Sequence, residues 1–291
     1  VSTLVTAWNE TKRRLQAAGV DSPVIDARLL VEAAAGATRA DILAEPRRPL
    51  SPDQSQALEG YVARRERREP VSHILGAKGF WKIMLRVTPA VLTPRPDTET
   101  ILDVVLPMFA EHEAFSLLDL GVGSGAILLA ILAERPGARG LGVDLSEDAI
   151  AVARENAANL GLAARTVLLR GDWTAGLDGD QFDLVVSNPP YVRSGDIAAL
   201  SPEVRDHEPR LALDGGPDGL DAYRALAPEI LRALKPGGRF AVEIGPDQSD
   251  PVQALFLAAG AEELAVAEDL AGRQRVISGR KKGLGEPPPT R

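Results

Sequence analysis

At 291 residues the chain is long enough for two domains and a sizeable core, and 45% apolar with 25% charged content is ordinary for a soluble globular protein. A net charge of −8 disfavours a nucleic-acid partner, because phosphate binding needs a basic surface. The absence of cysteine excludes disulfides and thiolate zinc sites, and no metal is expected. No apolar run approaches the ~18 residues of a membrane span and the start lacks a signal peptide's apolar core, so a cytoplasmic protein is expected.

Residues 1–75 read as helices. Val5, Trp8, Leu15 and Ala18 recur at helical spacing until Gly19 stops the pattern. Ser22-Pro23 opens a second helix through Ala27, Leu30 and Val31, a cap followed by a proline in the first turn. Residues 40–43 and 52–68 predict two more. This segment holds 11 basic and 10 acidic residues, which leaves 22 against 31 for the remainder. The run Arg64, Arg65, Arg67, Arg68, interleaved with Glu66 and Glu69, reads as a solvated helix face. Pro70 and Gly76 mark a boundary. Beyond it 80–87 has the pattern of a strand, with 89–92 as its hairpin partner. The divisions expected are a helical domain at 1–75, a linker with a hairpin at 76–96, a larger domain at 97–280, and a flexible tail at 281–291.

Residues 92–99, Leu-Thr-Pro-Arg-Pro-Asp-Thr-Glu, form a proline-stiffened loop that reaches an N-cap. The helix it opens carries Ile101, Leu102, Val105 and Leu106 on one face, and an arginine in such a loop is compatible with a ligand lid. Next, Leu117-Leu118-Asp119-Leu120 runs into Gly121-Val122-Gly123-Ser124-Gly125 and then Ala126 to Ala130, a strand entering a glycine turn that opens a helix. Glycines let a ligand approach the backbone, and a helix N-terminus offers free N–H donors. The spacing G-x-G-x-G differs from the pyrophosphate pattern G-x-G-x-x-G, and Asp119 would repel a pyrophosphate but attract an ammonium. Strand 140–143 ends in Asp144, placed like an acid that binds ribose hydroxyls. Strand 166–170 leads to Asp172 and Trp173, fit to bond and stack on adenine. Each acid taken singly could be a helix cap. Three of them, each following its own strand, fall on the carboxyl edge of one sheet and predict S-adenosylmethionine as cofactor.

The chain then reaches its most distinctive corner. Strand 182–186 ends in Ser187-Asn188-Pro189-Pro190-Tyr191, where two prolines lock φ and Asn188 is biased to an extended form. Proline lacks an N–H, so the corner offers the Asn188 side-chain oxygen and free carbonyls as acceptors. Such a site suits a substrate arriving with an –NH2 group. Lys235-Pro236-Gly237-Gly238 is expected as the turn into a fifth strand, 238–243, and a pair near 262–267 and 273–278 closes the sheet. The fold class is α/β, a doubly wound, Rossmann-like sheet behind a small helical domain.

These residues carry a resemblance. Asp119 to Gly125, Asp144 and Asn188-Pro189-Pro190-Tyr191 resemble the class I methyltransferases that act on planar amino or amide nitrogens. More narrowly, the chain resembles the HemK/PrmC family of release-factor glutamine N5-methyltransferases. The match adds Glu69-Pro70, Ile74-Leu75-Gly76, the loop at 92–99, the run 207–216 with Asp218-Gly219-Leu220, Glu243-Ile244-Gly245 and Asp269-Leu270-Ala271-Gly272. His73 stands where the family commonly has tyrosine, and Val122 where it often has threonine or cysteine. Neither change removes a side chain assigned to the chemistry.

The resemblance implies the seven-stranded methyltransferase sheet with an antiparallel last strand, S-adenosylmethionine as methyl donor and a release-factor glutamine as substrate. It assigns catalysis to Asn188, Pro189 and Tyr191, and substrate binding to those three with Pro190. Cofactor binding falls to Asp119, Gly121, Val122, Gly123, Ser124, Gly125, Asp144, Asp172, Trp173 and Asn188. Asn188 and the Pro189 carbonyl would each accept one N–H of the glutamine amide, Tyr191 would pack against its stem or the donor, and the helical domain would grip the release factor. No base is evident beside the corner, consistent with a methylated amide acidic enough to lose its proton unaided. Two other readings share the corner: a glutamine methyltransferase of a ribosomal protein, and an N6-adenine methyltransferase stacking Tyr191 on a flipped base. A cofactor-binding regulator without catalysis would not need the corner. No membrane and no direct nucleic-acid contact are expected.

Overall fold

A computed structural model of the protein describes residues 2–283. The chain divides into two compact units, one made of residues up to Ala77 together with Leu200–His207, the other of Lys78–Ala199 and residues from Glu208 onward.

The first unit is helical: α1 Leu4–Ala17, α2 Pro23–Ala35, α3 Arg39–Ala44, α4 Pro52–Glu66 and α5 Val71–Leu75. Thr3, Thr38 and Ser51 cap α1, α3 and α4 by accepting a backbone N–H of the first turn. Ser22 makes no such bond at α2, where Pro23 occupies the first turn instead. Leu4, Leu15, Leu30, Val31 and Val62 meet in a core of their own. The arginine run is not the solvated face its charge pattern predicts. Arg65 is buried and donates to Asp26 and Glu203, Arg68 binds Glu203 and the Gly19 carbonyl, and Arg64 binds Glu69. Glu203 lies on Leu200–His207, so ion pairing between segments far apart in sequence draws these arginines out of water. Only Arg67 of the run is exposed.

In the second unit the strand expected at 80–87 is broken. Trp81 takes a left-handed φ of 51°, and the hairpin pairs β1 Ala77–Phe80 with β2 Ile83–Arg86. Residues 89–92 form a turn and irregular backbone, not a partner strand. Helix α6, Glu99–Val105, follows a 3-10 turn at Pro96–Thr98, so the loop enters it through a tight turn and Thr98 caps nothing with its side chain.

The remaining elements are β3 Ser116–Leu120, α7 Ala126–Glu134, β4 Arg139–Asp144, α8 Glu147–Asn159, β5 Thr166–Arg170, β6 Phe182–Ser187, α9 Pro202–Arg205, α10 Asp221–Ala233, β7 Leu234–Glu243, α11 Ser249–Ala258, β8 Ala261–Glu268 and β9 Gln274–Lys281. (α9 belongs to the helical unit.) Seven strands form one sheet in the order β5-β4-β3-β6-β7-β9-β8, parallel except for β9, which runs antiparallel to both neighbours. This is the expected class I methyltransferase arrangement. Residues 235–238 do not precede β7 but bulge within it: Phe182 pairs with Leu234 and Leu184 with Arg239. Lys281, expected in the tail, ends β9 and donates to the Leu234 carbonyl; residues 284–291 of that tail lie outside the described residues.

Helix α7 is apolar on every side and buried from Ala126 to Leu132. It presses on β4 at Gly140, where a Cβ would lie 2.4 Å from Leu128 Cδ1, so a side chain there would force Leu128 to repack. The strand order reverses at β3, the kind of edge where open α/β sheets hold ligands.

Candidate functional site

Sheet register builds the site. Leu120 pairs with Val143 and with Ser187, and Ser187 pairs with Val242. The next residues along these strands are Asp144, Gly121, Asn188 and Glu243, which therefore stand in one row across the carboxyl edge. Above it lies a cavity of about 610 Å³, walled in part by Gly121, Val122, Gly123, Ser124, Asp144, Asp172, Trp173, Asn188 and Pro190. Arg95 and Thr98 from the proline-stiffened loop line it too, as do residues 209–212. The loop is tied down where Arg95 donates to the buried Glu208 at 2.7 Å.

The glycine turn is held by Asp144. Its Oδ2 accepts from the Gly123 N–H and its Oδ1 from the Ser146 N–H, both at 2.9 Å. Gly121, Gly123 and Gly125 take φ of 75°, 53° and 84°, a conformation that a side chain resists. Trp173 adopts a left-handed φ of 47° without being glycine, and its ring lies 3.8 Å from where a Gly121 Cβ would be. Residues in sparsely populated backbone regions are held there by their surroundings and cluster at functional sites. Asp172 is exposed at the cavity mouth.

Asp119 stands behind the turn, not on the cavity wall. Its Oδ2 accepts the Leu128 N–H at 3.1 Å, capping α7, while its buried Oδ1 has no partner. Burial and the nearby Asp144 push its pKa up to about 7. Gly125, at the start of α7, also lies off the wall. A testable consequence follows from the sign of the shift. Below the ordinary value of 3.8 the Asp119 carboxyl is protonated folded or unfolded, and above about 7 it is buried as an anion. The cost therefore grows from pH 4 to 7 and then stays level. Asp119→Asn should stabilise the ligand-free protein by about 1–3 kcal/mol at pH 8 and clearly less at pH 5. Thermal melts at the two pH values check this; an equal shift at both would mean that Asp119 carries no buried charge.

At the corner, Ser187 anchors the backbone by donating to the Leu120 carbonyl at 2.7 Å. Asn188 Nδ2 donates to Thr98 Oγ1 at 3.2 Å, which leaves Asn188 Oδ1 as an acceptor. Pro189 is buried, and its carbonyl accepts no hydrogen bond among the described residues. Tyr191 turns inward, packing against Tyr223's cluster, and burial beside Glu243 raises its pKa to about 12. The run 213–219 buttresses this turn. Val192 exchanges backbone hydrogen bonds with Leu213 and Gly215, and a Cβ on Gly219 would lie 2.5 Å from the Tyr191 carbonyl oxygen. Gln248 clamps the same point, donating to the Tyr191 and Gly219 carbonyls at 3.1 Å each.

Sequence reasoning assigned neither Thr98 nor Glu243 to the site, and it saw no evident base beside the corner. The Glu243 carboxyl lies there, fully buried, with Oε2 unpartnered, and burial raises its pKa to about 7 against the pull of Thr98, Arg275 and Tyr191. A usable signal existed: Glu243 ends the strand at 238–243, just as Asp144 ends 140–143. The Asp269-to-Gly272 run also has a structural role. Asp269 accepts from the Ala271 and Arg273 N–H groups and from Arg275, whose guanidinium lies 3.4 Å from Asp97 in the turn that carries Thr98.

Comparison with known proteins agrees with this architecture. The PrmC N-terminal domain family matches residues 6–76, and a methyltransferase domain family matches 111–260. A methyltransferase structure from Pyrococcus furiosus superposes with a TM-score of 0.51 at 17% identity, covering 68% of this chain and 88% of its own, a likeness of fold alone. A release factor glutamine methyltransferase from Rhodospirillum rubrum is 48% identical over 276 residues, 95% of this chain and 84% of that one. Its counterpart from Caulobacter vibrioides is 65% identical over 285 residues, 98% of this chain and 99% of its own. A likeness of that depth, spanning both the helical unit and the sheet, makes the chain a member of the release factor glutamine methyltransferase family.

Proposed function

We propose that this protein transfers a methyl group from S-adenosylmethionine to the side-chain amide nitrogen, N5, of a glutamine in peptide chain release factors, in the cytoplasm. The observation that carries the reading is the Asn188 side chain, whose amide hydrogen is taken by Thr98 so that its oxygen is left to accept. An acceptor corner at the rim of a cavity matches an incoming –NH2.

The cavity residues fit the cofactor. Asp144 offers carboxylate lone pairs for a ribose diol, and Asp172 and Trp173 a hydrogen bond and a ring face for adenine, while Asp119, behind the glycine turn, holds a negative charge within reach of an ammonium only through that turn. When bound, S-adenosylmethionine supplies an electrophilic sulfonium methyl. The protein's own part is alignment. Asn188 Oδ1 and the Pro189 carbonyl each accept one N–H of the glutamine amide, which holds its nitrogen still and draws electron density onto it. Well-oriented reactants reach effective molarities of ~10⁵ M or more. Both bonds strengthen as positive charge develops on nitrogen, so they favour the transition state over the bound substrate. Tyr191, fixed inward, backs the turn. The helical unit supplies binding energy away from the reacting atoms.

The test is a tritiated-methyl transfer assay with the full-length protein on release factors, ribosomal proteins and duplex DNA. Label is expected on a glutamine of a release factor. Label confined to ribosomal protein would move the substrate, and label in DNA would overturn the reading.

A further inference from the structure

The cavity has two kinds of wall. One is the row of strand ends, fixed by sheet register. The other comes from two segments outside the sheet, residues 90–98 and 209–212. The first segment is well tied down. Val91 is buried with Val87, Ala149 and Val152, the Trp81 N–H donates to Glu99 just beyond the segment at 2.8 Å, and Asp97 pairs with Arg273 at 2.9 Å. The second is not. None of residues 209–212 is buried, Arg210 pairs with the nearby Asp214, and Leu211 is 54% exposed although it lines the cavity. This turn hangs between two buried anchors, Glu208 before it and Leu213 after it.

The two anchors differ in kind. Leu213 is apolar, its carbonyl accepts the Val192 N–H at 2.9 Å, and Gly215 donates to the Val192 carbonyl at 2.8 Å. Glu208 is a carboxylate whose side chain is 1% exposed, and burying that charge is costly unless it is paired. Arg95 Nη2, on the first segment, pairs with it at 2.7 Å, and Thr93 of the same loop hydrogen-bonds to it as well. Water can take over from these partners once the carboxylate moves out, which it cannot do for an apolar anchor. The wall therefore parts most readily at Glu208, with the backbone bonds at Leu213 and Gly215 as its hinge. A ligand in the cavity would bury Leu211 and so favour the closed position. We propose that the Glu208–Arg95 pair is a latch on a movable wall: it holds the turn at 209–212 shut on the cofactor, and it parts to let S-adenosylmethionine in and S-adenosylhomocysteine out. The identity of the ligand rests on the reading given above, whereas the latch rests on the pair itself.

Arg95 also lines the cavity, and its Nε and Nη1 donate to nothing among the described residues. A change at Arg95 alone would therefore not separate a latch from a ligand contact. Glu208 does not line the cavity, so it acts on a ligand only through the wall it holds.

The test compares parent, Arg95→Met, Glu208→Ala, Glu208→Gln and the double variant Arg95→Met/Glu208→Ala, each checked for cooperative thermal unfolding. Release of S-adenosylhomocysteine is followed by stopped-flow tryptophan fluorescence, Trp173 being on the cavity wall. Arg95→Met and Glu208→Ala should release it roughly 10–100-fold faster, the scale of one hydrogen bond to a charged group. Glu208→Gln keeps an acceptor but not the charge, so it should lie between these and the parent. The double variant should release no faster than Glu208→Ala. A readout without ligand is hydrogen exchange at the Ala212, Leu213 and Asp214 amides, which bond back to the Pro209 and Arg210 carbonyls. Exchange there should quicken severalfold in Arg95→Met and Glu208→Ala, while the Val192 and Gly215 amides at the hinge keep parental protection. Parental release and exchange in both variants would overturn the proposal. So would a double variant faster than Glu208→Ala, which would make Arg95 a ligand contact, or lost protection at Val192 and Gly215, which would make Glu208 a prop of the whole segment. Failure of every form to bind S-adenosylhomocysteine would count against the cofactor reading alone, since hydrogen exchange needs no ligand.

Discussion

Replacing Asn188 by alanine is expected to lower turnover roughly 10²–10³-fold, the cost of one preorganised polar contact that strengthens in the transition state. Cofactor affinity should stay nearly unchanged. The corner is built from backbone and from residues other than Asn188: Ser187 anchors it to Leu120, and Gln248 pins the Tyr191 carbonyl. The truncation therefore removes the acceptor and leaves its frame standing. Single-turnover methyl transfer with saturating release factor checks it, alongside calorimetry of cofactor binding. Normal turnover in the variant would show that the amide oxygen is not what holds the substrate.

The second large effect is expected at Asp144. Its alanine variant should bind S-adenosylmethionine about 1.5–3 kcal/mol more weakly, the range for hydrogen bonds to a charged group. Two losses add here. The carboxylate's free lone pairs are gone from the ribose, and the Gly123 and Ser146 N–H groups lose the acceptor that ties the glycine turn to α8. Asp144→Asn keeps one oxygen, so it should fall between parent and alanine. Titration calorimetry of folded variants decides the matter. Equal affinity across the three would remove Asp144 from the ribose site.

Particular elements show how far the sequence reaches. Strands β3, β4 and β6 were legible because a buried parallel strand is a short apolar run ended by a turn, and both signals are local; the edge strand β5 showed the same apolar run although most of it is exposed. The glycine turn was legible because left-handed φ restricts residue type at the positions themselves. The hairpin at β1 and β2 was misplaced because Trp81 takes a left-handed φ without being glycine, leaving no mark in the sequence. The bulge at 235–238 was read as a turn for a related reason: proline and glycine announce irregular backbone but not whether pairing resumes on both sides of it.

Sequence by itself determined the α/β alternation, the acids at successive strand ends, the acceptor corner and the helical segment before them. Each is fixed by side-chain periodicity or backbone stereochemistry within a few residues. Only the tertiary structure decided which charges are buried and what orients the corner. Arg65 left solvent because Glu203 came to it, and Asn188 acquired a direction because Thr98, 90 residues earlier, lies against it. Ion pairs and hydrogen-bond polarity depend on what the fold brings within about 3 Å, and no local pattern in the chain records that distance.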